Sequence, residues 1–211
     1  MQIKISDKKA ILILVIVYLV GILGFLVPQT RMLMSKLIWV NIVFSAVLLF
    51  SFHKSWSFDF SVALLSIGCI GFFIEVIGVK TGFIFGRYQY GSILGWSILD
   101  TPLIMGLTWI TTTYISRQIA EKMVKSKWLI ALTSASFMIG LDFFIEPFAI
   151  ANKMWLWDIG YVPLHNYAGW FLCGFIIQLA FVNSVKLSKN KLALPLYIIQ
   201  LLFFAITGLV L

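Results

Sequence analysis

Two acidic residues stand four positions apart in the segment GLDFFIEP at 140–147, inside a run that is apolar enough to cross a bilayer. Residues at this spacing lie on one face of a helix, about one turn apart. An acid at membrane depth costs about 2.5–3.5 kcal/mol on insertion scales, so such residues are usually retained for a function. Two close carboxyls in a low dielectric cannot both ionise easily, so one can hold a proton while the other accepts one. We therefore predict that Asp142 and Glu146 form a chemical site; the alternative is a structural pair hydrogen-bonded to neighbouring helices or to Arg87.

Two further acids flank other apolar runs. Glu75 lies near a predicted helix end, where a role in the site and a structural pairing with Arg87 or Lys80 are both open. Asp100 precedes Thr101 and Pro102, and an acid followed by proline is typical of a helix start. We interpret Asp100 as the cap of that helix.

Aromatic residues crowd the same end of the predicted helices. Some are explained by the belt of Trp and Tyr at a membrane interface. A one-sided excess also suits a long apolar ligand, or a cation held against ring faces. Asn166, close to a predicted helix start, is interpreted as a cap, a polar anchor or a ligand contact. The crowded aromatics are Tyr88, Tyr90, Trp96, Trp155, Trp157, Tyr161, Tyr167 and Trp170.

The composition predicts what positions these residues. The chain is 61% hydrophobic and 11% charged, with a mean hydropathy of +1.01, which indicates an integral membrane protein. Strand-like alternation is lacking, so we predict an all-α bundle that forms one domain over residues 1–211. The net charge of +8 comes from basic residues in short loops, which is typical of contacts with lipid headgroups and does not indicate nucleic acid.

We predict about seven transmembrane helices. Eleven of the sixteen Lys and Arg residues fall on the side of the amino terminus, which the positive-inside rule assigns to the cytoplasm. On this topology Glu75, Asp100, Asp142, Glu146 and Asp158 all belong to the outer half. The predicted spans are 10–27, 33–52, 58–78, 99–116, 128–150, 165–185 and 192–211; the cytoplasmic basic residues are Lys4, Lys8, Lys9, Lys54, Arg117, Lys122, Lys125, Lys127, Lys186, Lys189 and Lys191.

The metal-binding residues are few. With His53 and His165 as its histidines, the chain does not indicate a His-rich metal site. Cys69 and Cys173 both lie in apolar runs, and we interpret them as core thiols without a disulfide.

Five motifs in order resemble the membrane-embedded carotenoid hydratases, which act on bisanhydrobacterioruberin and γ-carotene. The resemblance covers about residues 72–170. The chain departs from the family pattern at Glu146, where Asp is usual, at Ile84, where Pro is usual, and in a shorter segment at 160–163. The motifs are EVIGVKTGFIFGRYQY at 75–90, Pro102 with Trp109, Asp142-x-x-x-Glu146-Pro147, Trp155-Leu-Trp157, and PLHNYAGW at 163–170.

The resemblance implies a cofactor-free hydratase, a hydro-lyase, which adds water across the terminal carbon 1–carbon 2 double bond of an acyclic (ψ) carotenoid end. We expect Asp142 to be the acid, with Glu146 or Glu75 positioning the water. The resemblance also implies a lipid-soluble carotenoid substrate, water, membrane lipids and other carotenoid-pathway enzymes as partners, in the inner membrane of a prokaryote. The expected substrate-binding residues are Tyr88, Tyr90, Trp96, Trp155, Trp157, Asn166, Trp170 and Arg87.

Two other functions would also use acidic residues within a membrane. An ion-coupled transporter would also retain intramembrane acids, but it usually shows inverted repeats or broken helices in both halves. Another polyprenyl- or polyene-modifying enzyme, such as a polyprenyl transferase, would need two acidic motifs for Mg²⁺-diphosphate, and the chain has one acidic pair.

Overall fold

A computed structural model describes residues 5–211, so Lys4, one of the basic residues used for orientation, lies outside the described part. This part consists of eight helices and four short strands. The helices are α1 (Asp7–Leu26), α2 (Pro28–Lys36), α3 (Ile38–Ser51), α4 (Phe58–Thr81), α5 (Ile104–Met123), α6 (Lys127–Ala151), α7 (Leu164–Ser184) and α8 (Ala193–Val210); the strands are β1 (Tyr88–Tyr90), β2 (Ser97–Ile98), β3 (Thr101–Pro102) and β4 (Trp155–Trp157).

Five of these helices, α1, α4, α6, α7 and α8, are long and apolar enough to cross a membrane. The helical class predicted from composition is confirmed. The pair α2 and α3 reaches the same criterion together, which raises the number to six if the pair is one span. Helix α5 is outside this group, since its second half is polar and carries Arg117, Gln118, Glu121 and Lys122. Seven spans and the cytoplasmic amino terminus therefore stay predictions.

The span predicted at 33–52 is not one straight helix. Helices α2 and α3 are bent by 56° at Leu37. Pro28 occupies the first turn of α2, where its fixed φ and missing N–H are tolerated. This broken pair forms one side of a large cavity.

Helix α4 shows how local sequence sets the bounds of a long apolar helix. The Ser57 hydroxyl accepts a hydrogen bond from the backbone N–H of Phe60 at 3.1 Å, which caps the amino end. Gly82, with a φ of 66°, ends the helix in the left-handed conformation that glycine adopts without strain. Glu75 is therefore held two turns before a defined helix end.

Helix α6 packs against α5, α7 and α8 and carries the acidic pair. Pro147 lies inside it, where its ring removes one helical hydrogen bond. Asp142 and Glu146 are both buried on the face towards α7. The sequence-based expectation that the two acids share one side of a helix is confirmed.

Two short antiparallel strand pairs lie at the end of the bundle where α4 and α6 end. Strands β1 and β4 pair antiparallel, and so do β2 and β3. Helix α5 begins at Ile104 with Leu103 as its cap residue, so the interpretation of Asp100 as a helix cap is wrong. Asp100 instead has a φ of 62° in the tight β2–β3 turn, and its carboxylate accepts a hydrogen bond from the Lys80 ammonium.

The two cysteines are free thiols, and they differ in environment. Cys173 is half-buried, whereas Cys69 is exposed on the surface of α4. The prediction of a core thiol is therefore wrong for Cys69, because its position on α4 faces away from the neighbouring helices.

Candidate functional site

The β1–β4 pairing places four aromatic side chains on one face. Tyr88 lies opposite Trp157, and Tyr90 lies opposite Trp155. Since successive strand residues point to opposite faces, the intervening Gln89 and Leu156 are exposed. The patterns Tyr-Gln-Tyr and Trp-Leu-Trp thus direct two phenols and two indoles into the bundle.

Glu75 accepts three hydrogen bonds, two from the tyrosines of β1 and one from Trp109 of α5. Its Oε2 accepts from the hydroxyls of Tyr88 at 2.6 Å and Tyr90 at 2.7 Å. Its Oε1 accepts from Trp109 Nε1 at 3.0 Å. Three donors and 2% exposure describe a carboxyl whose charged form is well solvated by the protein.

Glu146 has a similar set of donors. The indole N–H groups of Trp155 and Trp157 both donate to its Oε2 at 3.0 Å. The Asn166 amide donates to its Oε1 at 3.3 Å. Three hydrogen bonds thus stabilise the carboxylate form of this buried side chain as well.

Asp142 differs from both glutamates. Among the described residues its one hydrogen-bond donor is Asn166, whose Nδ2 lies 2.9 Å from Asp142 Oδ2. The same amide group bridges to Glu146, so Asn166 from α7 joins the two acids of α6. Of the three carboxyls, Asp142 has the weakest stabilisation of a negative charge and holds a proton at the lowest cost.

Burial, followed by the neighbouring Glu75 carboxyl, raises the pKa of both Tyr88 and Tyr90 above 10.0, the ordinary value for tyrosine. Both phenols therefore keep their protons at neutral pH and act as hydrogen-bond donors.

The three carboxyls line one small cavity of about 20 Å³. That volume has room for about one water molecule. The convergence predicted for five acids is thus found for three, whereas Asp100 and Asp158 are exposed. The remaining lining residues are Phe85, Tyr88, Tyr90, Met105, Trp155, Trp157, Asn166 and Trp170.

A second, larger cavity of about 390 Å³ adjoins the first. Its lining is mostly apolar and comes from α1, α2, α3, α5, α6 and α8, together with Trp170 of α7, Leu94, and Met154 and Trp155 at β4. Asp142, Met105, Trp155 and Trp170 line both cavities. Asp142 therefore stands between a small polar space and an apolar space within the size range of ligand pockets.

Trp109 is a site residue to which the sequence analysis assigned no role. It is fully buried, donates to Glu75, and stacks on Trp170 with ring centroids 4.3 Å apart and planes inclined by 5°. Gly71 permits this packing, because a Cβ there would collide with the Trp109 side chain. The signal available in the sequence was the pair Pro102 and Trp109 among the family motifs.

Two residues expected to bind substrate lie away from the cavities. Trp96 is 88% exposed and precedes β2, which suits a place in an interfacial aromatic belt. Arg87 is exposed, and its side chain lies over Gly82. The alternatives that paired Arg87 with the acidic residues, or Lys80 with Glu75, are also wrong. Glu75 has Tyr88, Tyr90 and Trp109 as partners. Asp142 and Glu146 have Asn166, Trp155 and Trp157.

Within residues 5–211, no group of three or more His, Cys, Asp or Glu residues has the geometry to hold a metal ion. The three carboxyls instead face tyrosine, tryptophan and asparagine donors. Such donors can stabilise a carboxylate, and carboxyls in this setting can donate and accept protons.

Comparison with known proteins gives three findings. The chain is 28% identical over 133 residues to the bisanhydrobacterioruberin hydratase of Haloarcula japonica, an alignment that covers 57% of this chain and 44% of that protein. The chain thus spans less than half the length of this curated relative. No solved structure gives a significant match. A family model described as "Carotenoid biosynthesis protein" matches residues 36–211, well over half of the sequence. The chain therefore belongs to the carotenoid biosynthesis protein family.

Proposed function

We propose that the protein is a carotenoid hydratase, which adds water across the terminal carbon 1–carbon 2 double bond of a ψ end group. The observation that carries the proposal is the position of Asp142, which lines both the large apolar cavity and the small polar one. A hydration needs an apolar place for the alkene, a place for water and an acid in contact with both. The name of the similar hydratase supports the same chemical class.

In the proposed first step, the Asp142 carboxyl donates its proton to carbon 2 of the terminal double bond. The π electrons form the new C–H bond, which leaves a tertiary cation at carbon 1. Asp142 suits this role because Asn166 is its one protein donor, so its protonated form costs little. The apolar cavity excludes bulk water, which prevents side reactions of the cation with solvent.

The cation is stabilised by its surroundings in two ways. The faces of Trp155 and Trp170, which line the cavity, interact favourably with a positive charge. The carboxylate that remains on Asp142, together with Glu146 and Glu75 behind it, supplies negative charge close to carbon 1.

In the second step a water in the small cavity attacks carbon 1 and gives a tertiary alcohol. Its oxygen forms the new C–O bond, and the proton that it loses passes to Glu146. Return of this proton to Asp142 restores the starting state, and Asn166 holds the two carboxyls side by side for that transfer. The net change is the addition of one water molecule, and the residues named supply both proton transfers without a cofactor.

We also propose the finer topology. The chain is one domain with seven spans, of which the bent pair α2–α3 is the second and α5 the fourth. The amino terminus lies in the cytoplasm of a prokaryotic cell, and the acidic cluster lies near the outer face of the cell membrane. The excess of Lys and Arg on the side of the amino terminus supports this orientation.

Pigment analysis tests the proposed reaction. The chain is expressed in cells that accumulate lycopene, γ-carotene or bisanhydrobacterioruberin, and the pigments are analysed by mass spectrometry. We expect a gain of one water per ψ end that reacts, and a loss of about 10²–10⁴-fold in conversion for Asp142→Asn, the range typical of a removed general acid.

The matched control is Asp59→Asn, because Asp59 is exposed in the first turn of α4, at the opposite end of that helix from Glu75. This variant should convert pigment like the unmodified protein. Undiminished hydration by Asp142→Asn, with both variants present in the membrane at equal amounts, would refute the assignment of the acid.

A further inference from the structure

The large cavity has a polar wall that the proposed hydration does not use. Tyr18 of α1, Asn41 and Ser45 of α3, and Gln200 of α8 all line this cavity. The Tyr18 hydroxyl lies 3.1 Å from Ser45 Oγ, and Gln200 Nε2 donates to it at 3.2 Å. These residues form a polar cluster in a lining that is otherwise mostly apolar.

One acceptor in this cluster is unused. Asn41 Oδ1 is buried and has no hydrogen-bond partner among residues 5–211. Leaving a buried polar atom unpaired costs about 1–3 kcal/mol, so such atoms usually face water or a ligand. Because Asn41 lines the cavity, a turn of its amide would bring this oxygen to a ligand there.

Two hydroxyls on the α5 side of the same cavity already have protein partners. Thr108 Oγ1 donates to the Met105 carbonyl at 2.7 Å, and Thr111 Oγ1 donates to the Leu107 carbonyl at 2.9 Å. Their donor capacity is used within α5. Among the buried polar side-chain atoms of the described residues that line this cavity, Asn41 Oδ1 is thus the one without a partner.

The chemistry of the wall selects one type of ligand group. An unpaired amide oxygen needs a donor, and the neighbouring hydroxyls can donate in return, so the fitting group is one that both donates and accepts. A hydroxyl does both. Tyr18, Asn41, Ser45 and Gln200 carry no charge, and among the described residues Asp142 is the one charged group elsewhere in the lining, so this part of the wall holds no counter-ion for an ionised ligand group.

The cavity also indicates where the rest of such a ligand lies. Val20 and Val40, which line the cavity, are among the hydrophobic residues exposed on the outside of α1 and α3. A volume of about 390 Å³ holds an end group and not a whole 40-carbon polyene. The remainder of a long chain would extend between α1 and α3 into the lipid.

We propose that Tyr18, Asn41, Ser45 and Gln200 form a binding site for a hydroxyl group near the reacting end of an isoprenoid substrate. This inference rests on the proposed function, since it takes the same cavity to hold the alkene at Asp142. The substrate class is then a ψ-ended isoprenoid alcohol, in preference to the corresponding hydrocarbon.

A binding experiment with a matched pair of probes tests the site. The probes are linalool and β-citronellene, which share one ten-carbon skeleton with a terminal trisubstituted alkene and differ by one hydroxyl. Binding to the full chain in lipid nanodiscs is followed by tryptophan fluorescence, since Trp155 and Trp170 line the cavity. The measurement is made on Asp142→Asn, so that it does not depend on hydration.

We expect Asn41→Leu to reduce the preference for linalool over β-citronellene by about 3- to 10-fold, the value of one hydrogen bond. This change keeps the side-chain size and removes an oxygen without a protein partner. Ser45→Ala should shift the preference in the same direction. The control Thr111→Val, which removes a hydroxyl already bonded within its helix, should leave the preference unchanged.

The possible results separate this site from the hydratase proposal. The hydroxyl site would be overturned if Asn41→Leu and Ser45→Ala preferred linalool over β-citronellene as strongly as the protein without these changes. Binding of neither probe would overturn it as well. A preference that depends on Asn41 supports the site even if no pigment is hydrated, in which case the catalytic proposal alone fails.

Discussion

At the scale of residues, the three buried carboxyls differ mainly in the number of donors around them. Glu75 and Glu146 each accept three hydrogen bonds from uncharged side chains, whereas Asp142 accepts one. Neutral donors stabilise a carboxylate without adding a cation that would have to be buried. This difference supports Asp142 as the proton donor and Glu146 as its partner.

Glu146→Gln is expected to lower pigment hydration by about 10²–10⁴-fold, because an amide cannot accept the proton of the attacking water. The amide N–H₂ would also face the indole donors of Trp155 and Trp157. Glu146→Asp keeps the carboxyl and should retain more activity than Glu146→Gln. The measurement is conversion per amount of membrane protein, and equal conversion by Glu146→Gln and the unmodified chain would contradict the role.

At the scale of elements, the site depends on two three-residue strands that are 65 or more residues apart in sequence. The β1–β4 pairing continues at Gly91, whose N–H donates to the Met154 carbonyl at 2.8 Å. A Cβ at Gly91 would collide with the backbone carbonyl of Lys153. Glycine is therefore required here for the close approach of the two strands.

Gly91→Ala should separate β1 from β4 and displace the aromatic donors of Glu75 and Glu146. We expect at least about 10-fold lower hydration and a destabilisation of about 1–3 kcal/mol, measured as a fall of several degrees in the unfolding temperature. Gly140→Ala is the control, since its Cβ would meet the Tyr197 hydroxyl at 3.3 Å and no backbone. If the two variants behave alike, the pairing is not what holds the site together.

At the scale of the whole molecule, the acidic cluster lies at one end of the bundle and the excess of basic residues at the other. His53, Tyr114 and Asn190 form a separate buried polar cluster at the basic end, with His53 Nδ1 2.9 Å from the Tyr114 hydroxyl. The two ends of the bundle thus hold different polar clusters, and which end faces the cytoplasm stays a prediction from the positive-inside rule.

Labelling of single cysteines tests this orientation. In a background with Cys69→Ala and Cys173→Ala, we expect a membrane-impermeant maleimide to label Asp158→Cys but not Lys189→Cys in intact spheroplasts. Lysed membranes should label both, which serves as the control for reactivity. Labelling of Lys189→Cys in intact cells would reverse the proposed topology.

Local sequence was sufficient to predict the helical class and the acidic face of α6. Apolar runs, short basic loops and the spacing of Asp142 and Glu146 act within one or two helical turns, so their consequences can be derived without knowing the packing. The family resemblance, carried by motifs along residues 72–170, was also present in the sequence and agrees with the family to which the chain belongs.

Only the tertiary structure decided which partners the site residues have. Trp109 reaches Glu75 across 34 residues of sequence, and Asn166 reaches Asp142 across 24. Such contacts depend on how helices pack, and no local pattern specifies them. For the same reason, the chain alone could not predict that Trp96 and Arg87 are exposed or that Asp100 pairs with Lys80. Nor could it predict that a polar and an apolar cavity meet at Asp142.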